Sequence, residues 1–202
     1  MMTNFENFKE RVLKYLTTNH VSIEIESTLR KTSYNDKENK YLYDGCDMQV
    51  ISMDSIAREG YKIIKKAECH PLNSVDAFLV SESGCWYFIE FKDCKINNKK
   101  DNIEKKGMAN LFMLMDINEE LNNELIDGYD SFLKFARDNI EYILVFSKEK
   151  DFYAYDQVRA HDNLNEKYTP ECLKKFKYFF FKDAYAYSEE YFERRFVSNF
   201  KY

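Results

Sequence analysis

Two acidic residues and a lysine stand at one end of a predicted β-hairpin. Asp76 lies at the start of the first apolar stretch, and the second stretch ends in Glu90, Phe91 and Lys92. Carboxylate oxygens are ligands that suit Mg²⁺. A lysine beside them can help to position or deprotonate an attacking water, or can stabilise developing negative charge. The chemistry that these residue types favour is metal-assisted hydrolysis of a phosphodiester.

A hairpin would bring these three side chains together. Its strands are predicted at 75–80 and 86–91, both rich in Val, Ile and aromatic residues, with a Ser-Gly turn between them. Side chains alternate along a strand, so Glu90 and Lys92 share one face. With a three-residue loop, Asp76 lies directly opposite Glu90 and points to the same side. A divalent cation would relieve the repulsion between the two carboxylates.

The pattern of Asp76 followed by Glu90-Phe91-Lys92 resembles the motif of the PD-(D/E)xK nuclease superfamily, which has the restriction-endonuclease-like fold. The order of the predicted elements is similar too. A helix comes first, then the strand with Asp, the strand with Glu-x-Lys, a long helix and a further strand. The resemblance covers about residues 54–148.

The resemblance implies a metal-dependent nuclease that acts in defence or in nucleic-acid processing. It assigns Asp76 and Glu90 as ligands of Mg²⁺ or Mn²⁺, adds the Phe91 carbonyl as a further ligand, and gives Lys92 the task of serving the water. The implied partner is nucleic acid, with DNA favoured over RNA. Val75 stands where the motif's name has proline, and some members of the superfamily bind nucleic acid without cutting it.

Three residues outside the hairpin are candidates through the same resemblance. Glu59, on the preceding helix, matches the additional acid that some members contribute to the metal site. Lys106 and Asn110, one turn apart on the following helix, match positions that meet phosphate in many members, so they are candidates for nucleic-acid binding. A glutamate beside an apolar helix stripe more often reaches solvent, which is the structural alternative for Glu59.

Hydrophobic periodicity predicts the elements that position these residues. Four helices are predicted. The first begins at a Thr3–Glu6 capping box and ends near Thr18. The others span 54–66 after an Asp54 cap, 102–122, and 188–196 after a Ser188 cap. The other predicted strands are 21–26, 141–147 and 178–187, the last as a strand or hairpin, and 31–40 is predicted to be a loop.

We therefore expect an α/β protein with a mixed central β-sheet flanked by helices. Residues 1–202 form one domain in this interpretation. A nuclease-like core spans about 54–148, and an N-terminal helix and strand and a C-terminal aromatic strand and helix are appended to it.

Composition narrows the class of protein. The 202 residues are 45% hydrophobic and 32% charged, as in globular proteins, and the net charge of −5 means that nucleic acid must be held by a local basic patch. Lysines between Lys92 and Lys106 are the candidate patch. The chain has no run of about 18 apolar residues, a polar acidic N-terminus, and five cysteines without a C-x-x-C pair. We expect a cytoplasmic protein with reduced thiols and no membrane partner.

Two alternatives remain open at this stage. Asp76, Glu90 and Lys92 can instead form a surface ion pair at the open end of the hairpin, since Glu-x-Lys recurs in a chain rich in both residues. The chain can also be a non-catalytic module of the same fold that binds protein or nucleic acid. A homodimer or a protein partner is compatible with its acidic charge.

Overall fold

A six-stranded mixed β-sheet forms the centre of the computed structural model, which describes residues 2–200. Within that range the strands are β1 (Glu26–Thr28), β2 (Tyr34–Asn35), β3 (Lys40–Tyr41), β4 (Gln49–Ser52), β5 (Ala77–Val80), β6 (Trp86–Lys92), β7 (Ile140–Phe146) and β8 (Asp183–Ser188). The sheet has the order β1-β4-β5-β6-β7-β8, antiparallel from β1 to β6 and parallel from β6 to β8. β2 and β3 form a separate hairpin.

Helices flank this sheet. They are α1 (Asn4–Thr18), α2 (Leu29–Thr32), α3 (Met53–Ser55), α4 (Lys62–Ile64), α5 (Lys100–Glu120), α6 (Phe132–Asn139), α7 (Phe152–Asn163), α8 (Glu171–Lys175) and α9 (Glu189–Arg195). A π-helical stretch, Ile56–Tyr61, joins α3 to α4, and another, Phe176–Phe180, follows α8. Short 3₁₀ segments cover Ile96–Lys99, Glu124–Ile126 and Val197–Phe200. The predicted class, α/β with a mixed central sheet flanked by helices, is confirmed.

Alternation along β6 divides the core between the two faces of the sheet. The ring of Trp86 packs against Phe8 of α1 and Phe135 of α6, with centroids 4.8 and 4.5 Å apart. Tyr87 points to the opposite face, where its ring lies 4.9 Å from that of Phe196, just after α9. All seven residues of β7 are buried, as expected for a strand covered on both faces. Glu90 and Lys92 belong to the Trp86 face.

The hairpin between β5 and β6 has the predicted three-residue loop. The amide of Ser81 donates to the carbonyl of Cys85 at 2.9 Å, so residues 82–84 form the turn. Gly84 has a φ of +81°, a left-handed conformation that suits glycine because a Cβ would be strained there. The turn chemistry therefore sets the register of the two strands that carry the acids.

Helix caps read from the sequence are confirmed at both ends of the chain. The Thr3 hydroxyl accepts from the Glu6 amide at 3.1 Å at the start of α1. The Ser188 hydroxyl accepts from the Tyr191 amide at 3.3 Å at the start of α9. Each of these side chains satisfies an amide that has no partner within its helix.

The helical segment before β5 differs from the prediction. Ser52, rather than Asp54, is its cap, and its hydroxyl accepts from the Ser55 amide at 3.2 Å. The π-helical stretch between α3 and α4 widens the turn and rotates the later residues. Ile56 is buried, but Ile63, predicted on the same apolar stripe, is 58% exposed.

Two strand predictions are also wrong in extent. In the region predicted as strand 21–26, only Glu26 belongs to β1, although the Ile25 carbonyl still accepts from the Ser52 amide at 2.8 Å. The region predicted as 178–187 starts in the second π-helical stretch and becomes β8 only at Asp183. The predicted loop 31–40 contains the end of α2 and the β2–β3 hairpin.

The structure contains neither a disulfide nor a membrane-spanning helix within residues 2–200. All five cysteines are free thiols. Among residues 2–200, none of the helices combines the length and the apolar character needed to cross a bilayer.

Candidate active site

Strand pairing places Asp76 beside Glu90. The register pairs Ala77 with Ile89, so Asp76, one residue before β5, stands opposite Glu90 on the same face. The amide of Phe91 donates to Asp76 Oδ2 at 2.7 Å. This hydrogen bond, together with the one that the Asp76 amide donates to the Ile89 carbonyl at 3.1 Å, holds Asp76 against the end of β6.

Glu90 is fully buried. Burial disfavours its charged form and the nearby Asp76 adds repulsion, so the pKa of Glu90 is raised to about 7 although Lys106 and Lys92 act in the opposite direction. A surface ion pair is therefore the wrong interpretation for Glu90. Its charge lies in the interior and needs compensation there.

Lys92 provides one of the compensating charges. It follows Glu90 by two residues on the same face of β6, and its Nζ contacts Glu90 Oε1. The Lys92 side chain is mostly buried but lines the open cleft described below. Its ammonium group therefore borders both the buried acid and the space that a substrate would enter.

Helix α5 brings a second ammonium group between the two acids. Lys106 Nζ lies 2.8 Å from Asp76 Oδ1 and 2.9 Å from Glu90 Oε2. Burial disfavours this ammonium group, but the two carboxylates outweigh that effect and raise the pKa of Lys106 above its usual value. The resemblance implied a phosphate contact for Lys106. The structure instead pairs it with the acids, because this side of α5 faces the sheet.

Gly107 explains how α5 approaches the sheet so closely. A Cβ at this position would lie 2.4 Å from the ring of Phe176 and 3.2 Å from that of Tyr142. Glycine removes this clash, so the backbone of α5 can rest against these rings. The close contact places the neighbouring Lys106 over the ends of β5 and β6.

Asn110 lies one turn further along α5 and is also buried. Its Nδ2 donates to the Lys106 carbonyl at 2.8 Å, and its Oδ1 has no partner within residues 2–200. The buried Asn110 side chain is therefore not placed to contact phosphate, contrary to the expectation from the resemblance. Residues four apart share a helix face, so Asn110 follows Lys106 into the interior and has no exposed surface.

Glu59 does not join the other acids. Its side chain is exposed in the π-helical stretch, whose wider turn changes which residues face the core. Across residues 2–200, no group of three His, Cys, Asp or Glu side chains is arranged to hold a metal ion. Glu59 is thus not placed to act as a third carboxylate ligand, and Asp76 and Glu90 remain as a pair.

This pair fits a hard divalent cation. Oxygens of Asp76 and Glu90 already converge on one positive charge, the Lys106 ammonium. The Phe91 amide faces Asp76, and because the amide and carbonyl of a strand residue point the same way, its carbonyl faces that side too. Mg²⁺ retains several waters and needs few protein ligands. An ion at this point would have to displace Lys106.

An open cleft of about 540 Å³ gives access to the site. Asp76, Lys92 and Lys106 line it, together with residues of the β2–β3 hairpin. An ion pair ties this hairpin to the end of β6, because Lys40 Nζ lies 3.5 Å from Asp93 Oδ2. Lys150 Nζ lies 2.9 Å from the same oxygen. Asp76 thus borders a solvent-accessible space, whereas Glu90 beside it has no exposed surface.

Tyr142 is a site neighbour that sequence reasoning missed. It lies in β7 opposite Phe88, two positions from the Glu90 pair, and its buried hydroxyl has no partner in the part of the chain that is described. Burial, with the charges of Glu90 and Asp76, raises the pKa of Tyr142 well above its usual value. The sequence offered only a tyrosine within a mostly apolar strand as a signal, and its place beside the site depends on the parallel pairing of β6 and β7.

No protein-family model, curated protein or solved structure matches this chain. The residues of the site and their geometry are therefore the basis for the function proposed next.

Proposed function

We propose that this protein is a Mg²⁺- or Mn²⁺-dependent nuclease with a restriction-endonuclease-like core. Asp76 and Glu90 are the metal ligands, with the Phe91 carbonyl beside them, and Lys92 is the catalytic lysine. The observation that carries this proposal is the convergence of Asp76 Oδ1 and Glu90 Oε2 on a single cation position in an open cleft. The sequence of helix, two acid-bearing strands, long helix and parallel strand supports the fold assignment.

A divalent ion at this position would polarise a phosphoryl oxygen and make water a better nucleophile. Asp76, held by the Phe91 amide, and Glu90, fixed within β6, supply its carboxylate oxygens with little loss of freedom. Lys92 at the edge of the cleft orients the attacking water or stabilises the charge that develops on phosphate. Lys106 would have to leave the two acids for the ion to bind between them.

Nucleic acid is the proposed partner, with DNA favoured over RNA by the family resemblance. The support from the structure is local charge. Lys37 and Lys99 line the cleft, are exposed, and form no ion pair within residues 2–200. Asp36 and Glu38 of the β2–β3 hairpin line the same cleft, so the two lysines supply local positive charge rather than a uniformly basic entrance.

A cleavage assay tests this function. Purified protein is incubated with labelled DNA and RNA, single- and double-stranded, with Mg²⁺, Mn²⁺ or EDTA. We expect metal-dependent cleavage that Lys92→Ala reduces by at least about a hundredfold. Lys134→Ala removes an exposed lysine that lies outside the cleft and should cut like the wild type. Equal loss in both variants, or cleavage that persists in EDTA, would contradict the proposal.

A non-catalytic binding module of the same fold is the second candidate function. The observation that favours it is Lys106 itself, because an ammonium group bonded to both acids can neutralise them permanently. In that case Asp76, Glu90 and Lys106 form a structural charge cluster, and the cleft binds protein or nucleic acid without cutting it. This candidate predicts neither cleavage nor any effect of divalent ions on stability.

A further inference from the structure

Three hollows lie in a row, and neighbouring hollows share residues. The cleft at Asp76 meets a second hollow of about 470 Å³ at Lys99. The second meets a third hollow of about 290 Å³ at Asn97, and the third reaches Tyr153 at the start of α7. The row therefore leads from the two acids past the start of α5 to a separate part of the surface.

The second hollow carries an excess of positive charge. Lys99, Lys100 and Lys105 line it with Asp101 as the single acidic lining residue. All three lysines are exposed, and none of them forms an ion pair inside the described range. Lysines without an acidic partner keep their charge free for an anion, and several in a row suit the regularly spaced charges of a nucleic-acid backbone.

Side-chain amides add hydrogen-bonding capacity to the same hollow. Four asparagines line it, and none of their side chains has a hydrogen-bond partner anywhere from residue 2 to residue 200: Asn73, Asn97, Asn98 and Asn102. An amide both donates and accepts, so it can bond phosphate, sugar or base edges. Lysines beside unpartnered amides suit a polyanion that also has polar groups to recognise.

Exposed tyrosines stand at the two ends of the row. Tyr34 lines the first cleft and is 39% exposed, and Tyr153 lines the third hollow and is 67% exposed. Exposed rings can stack on unpaired bases, and removal of one such ring weakens binding about tenfold. In a duplex the faces of the bases are already stacked on one another. The rings therefore favour a single strand.

We propose that the three hollows form a track for single-stranded nucleic acid that leads into the site. This inference rests on the proposed nuclease function and adds the class of substrate. Lys99, Lys100 and Lys105 contact phosphates along the track, and Tyr34 and Tyr153 stack on bases at its two ends.

Binding without cleavage tests the track. Fluorescence anisotropy in EDTA compares the full chain with a labelled single strand of about 30 nucleotides and with the same sequence as a duplex. The single strand should bind at least about tenfold more tightly. Tyr153→Ala should weaken single-strand binding about tenfold, whereas Tyr153→Phe keeps the ring and should not. Tyr178→Ala is the matched control, because Tyr178 is 71% exposed but lies outside the three hollows.

A charge variant tests the phosphate contacts. The double variant Lys99→Gln/Lys100→Gln should lower the slope of log affinity against log salt by about 1.4 for a single strand. The control Lys62→Gln/Lys134→Gln removes the same charge from two other lysines that lack ion pairs in the described part of the chain, and it should leave the slope unchanged. Circular dichroism of each variant verifies the fold.

The possible failures are distinguishable. Tighter binding of the duplex, equal effects of Tyr153→Ala and Tyr178→Ala, or an unchanged salt slope would overturn the track, even if metal-dependent cleavage of a duplex supported the nuclease. Single-strand binding with the expected variant effects would support the track, even if divalent ions neither stabilised the protein nor promoted cleavage.

Discussion

Lys106 Nζ lies 2.9 Å from Glu90 Oε2, although the two residues belong to different elements and are 16 positions apart. The ammonium group also bonds Asp76, so one buried cation serves two acids. Glu90 has no exposed surface and cannot be neutralised by solvent. The charge that sits between these acids, ammonium or divalent ion, therefore governs both the stability and the proposed chemistry of the site.

Replacing Lys106 should have opposite effects on metal-free stability and on the response to metal. Lys106→Met leaves the acids with only Lys92 nearby, so it should lower the free energy of unfolding in EDTA by about 3 kcal/mol. A divalent ion then no longer competes with an ammonium group, so the rise in melting temperature caused by Mn²⁺ should exceed that of the wild type. Urea unfolding and thermal melting measure the two effects.

Lys65 offers a matched control. Its Nζ also bridges two acids, 2.5 Å from Asp116 and 2.6 Å from Glu120, but all three side chains are about one-third exposed. Lys65→Met should cost at most about 1 kcal/mol, because exposed ion pairs are screened by water. Similar losses in both variants, or a weaker metal response in Lys106→Met, would contradict the role assigned to Lys106.

Glu90 should make metal-free stability fall as pH rises. Its pKa is about 7 in the folded chain and near 4.5 when unfolded, so between these values the folded state keeps a proton that the unfolded state releases. The stabilisation from this proton is complete below the unfolded pKa and is lost as pH rises through the folded pKa. The free energy of unfolding should fall by at most about 3 kcal/mol across this window. Metal affinity should rise over the same window, because the ion needs the carboxylate.

Urea unfolding in EDTA at about pH 5 and about pH 8 measures this effect. Other groups also titrate over this range, so the informative quantity is the difference between wild type and Glu90→Gln, which cannot ionise at this position. The wild type should lose more stability than the variant as pH increases. An identical pH dependence in both proteins would show that Glu90 is ionised throughout the range.

Gly107→Ala should destabilise the contact between α5 and the sheet. The added methyl group would meet the Phe176 ring at 2.4 Å, and overpacking of this kind costs about 2 kcal/mol. Gly84→Ala is the comparison: nothing lies within 4 Å of the added Cβ, so only the left-handed backbone is strained, at about 1 kcal/mol. Thermal unfolding compares them. A neutral Gly107→Ala would mean that α5 does not need this close approach.

The hairpin and its acids were predictable because the signals are local. Alternation fixes the faces of Glu90 and Lys92, and the glycine-containing turn fixes the register that brings Asp76 alongside. Such short-range features can be read directly from the order of residue types.

The remaining features of the site depend on packing between distant elements. The bridging position of Lys106 depends on how closely α5 approaches the sheet, which Gly107 allows through its contact with Phe176, 69 positions away in the sequence. Burial of Asn110 follows from the same approach. Exposure of Glu59 follows from a π-helical stretch that periodicity at 3.6 residues per turn cannot anticipate.

Divalent-ion binding to wild type and Asp76→Asn is the most direct measurement of the central claim. Asn keeps the size of the side chain and an oxygen for the Phe91 amide but removes the charge. Mn²⁺ titration by calorimetry, together with melting temperature, should show binding to the wild type and at least about a tenfold loss of affinity in Asp76→Asn. Glu59→Gln, which alters an exposed acid outside the site, should bind like the wild type. No Mn²⁺ binding to the wild type, or equal binding to Asp76→Asn, would contradict a metal site at Asp76 and Glu90.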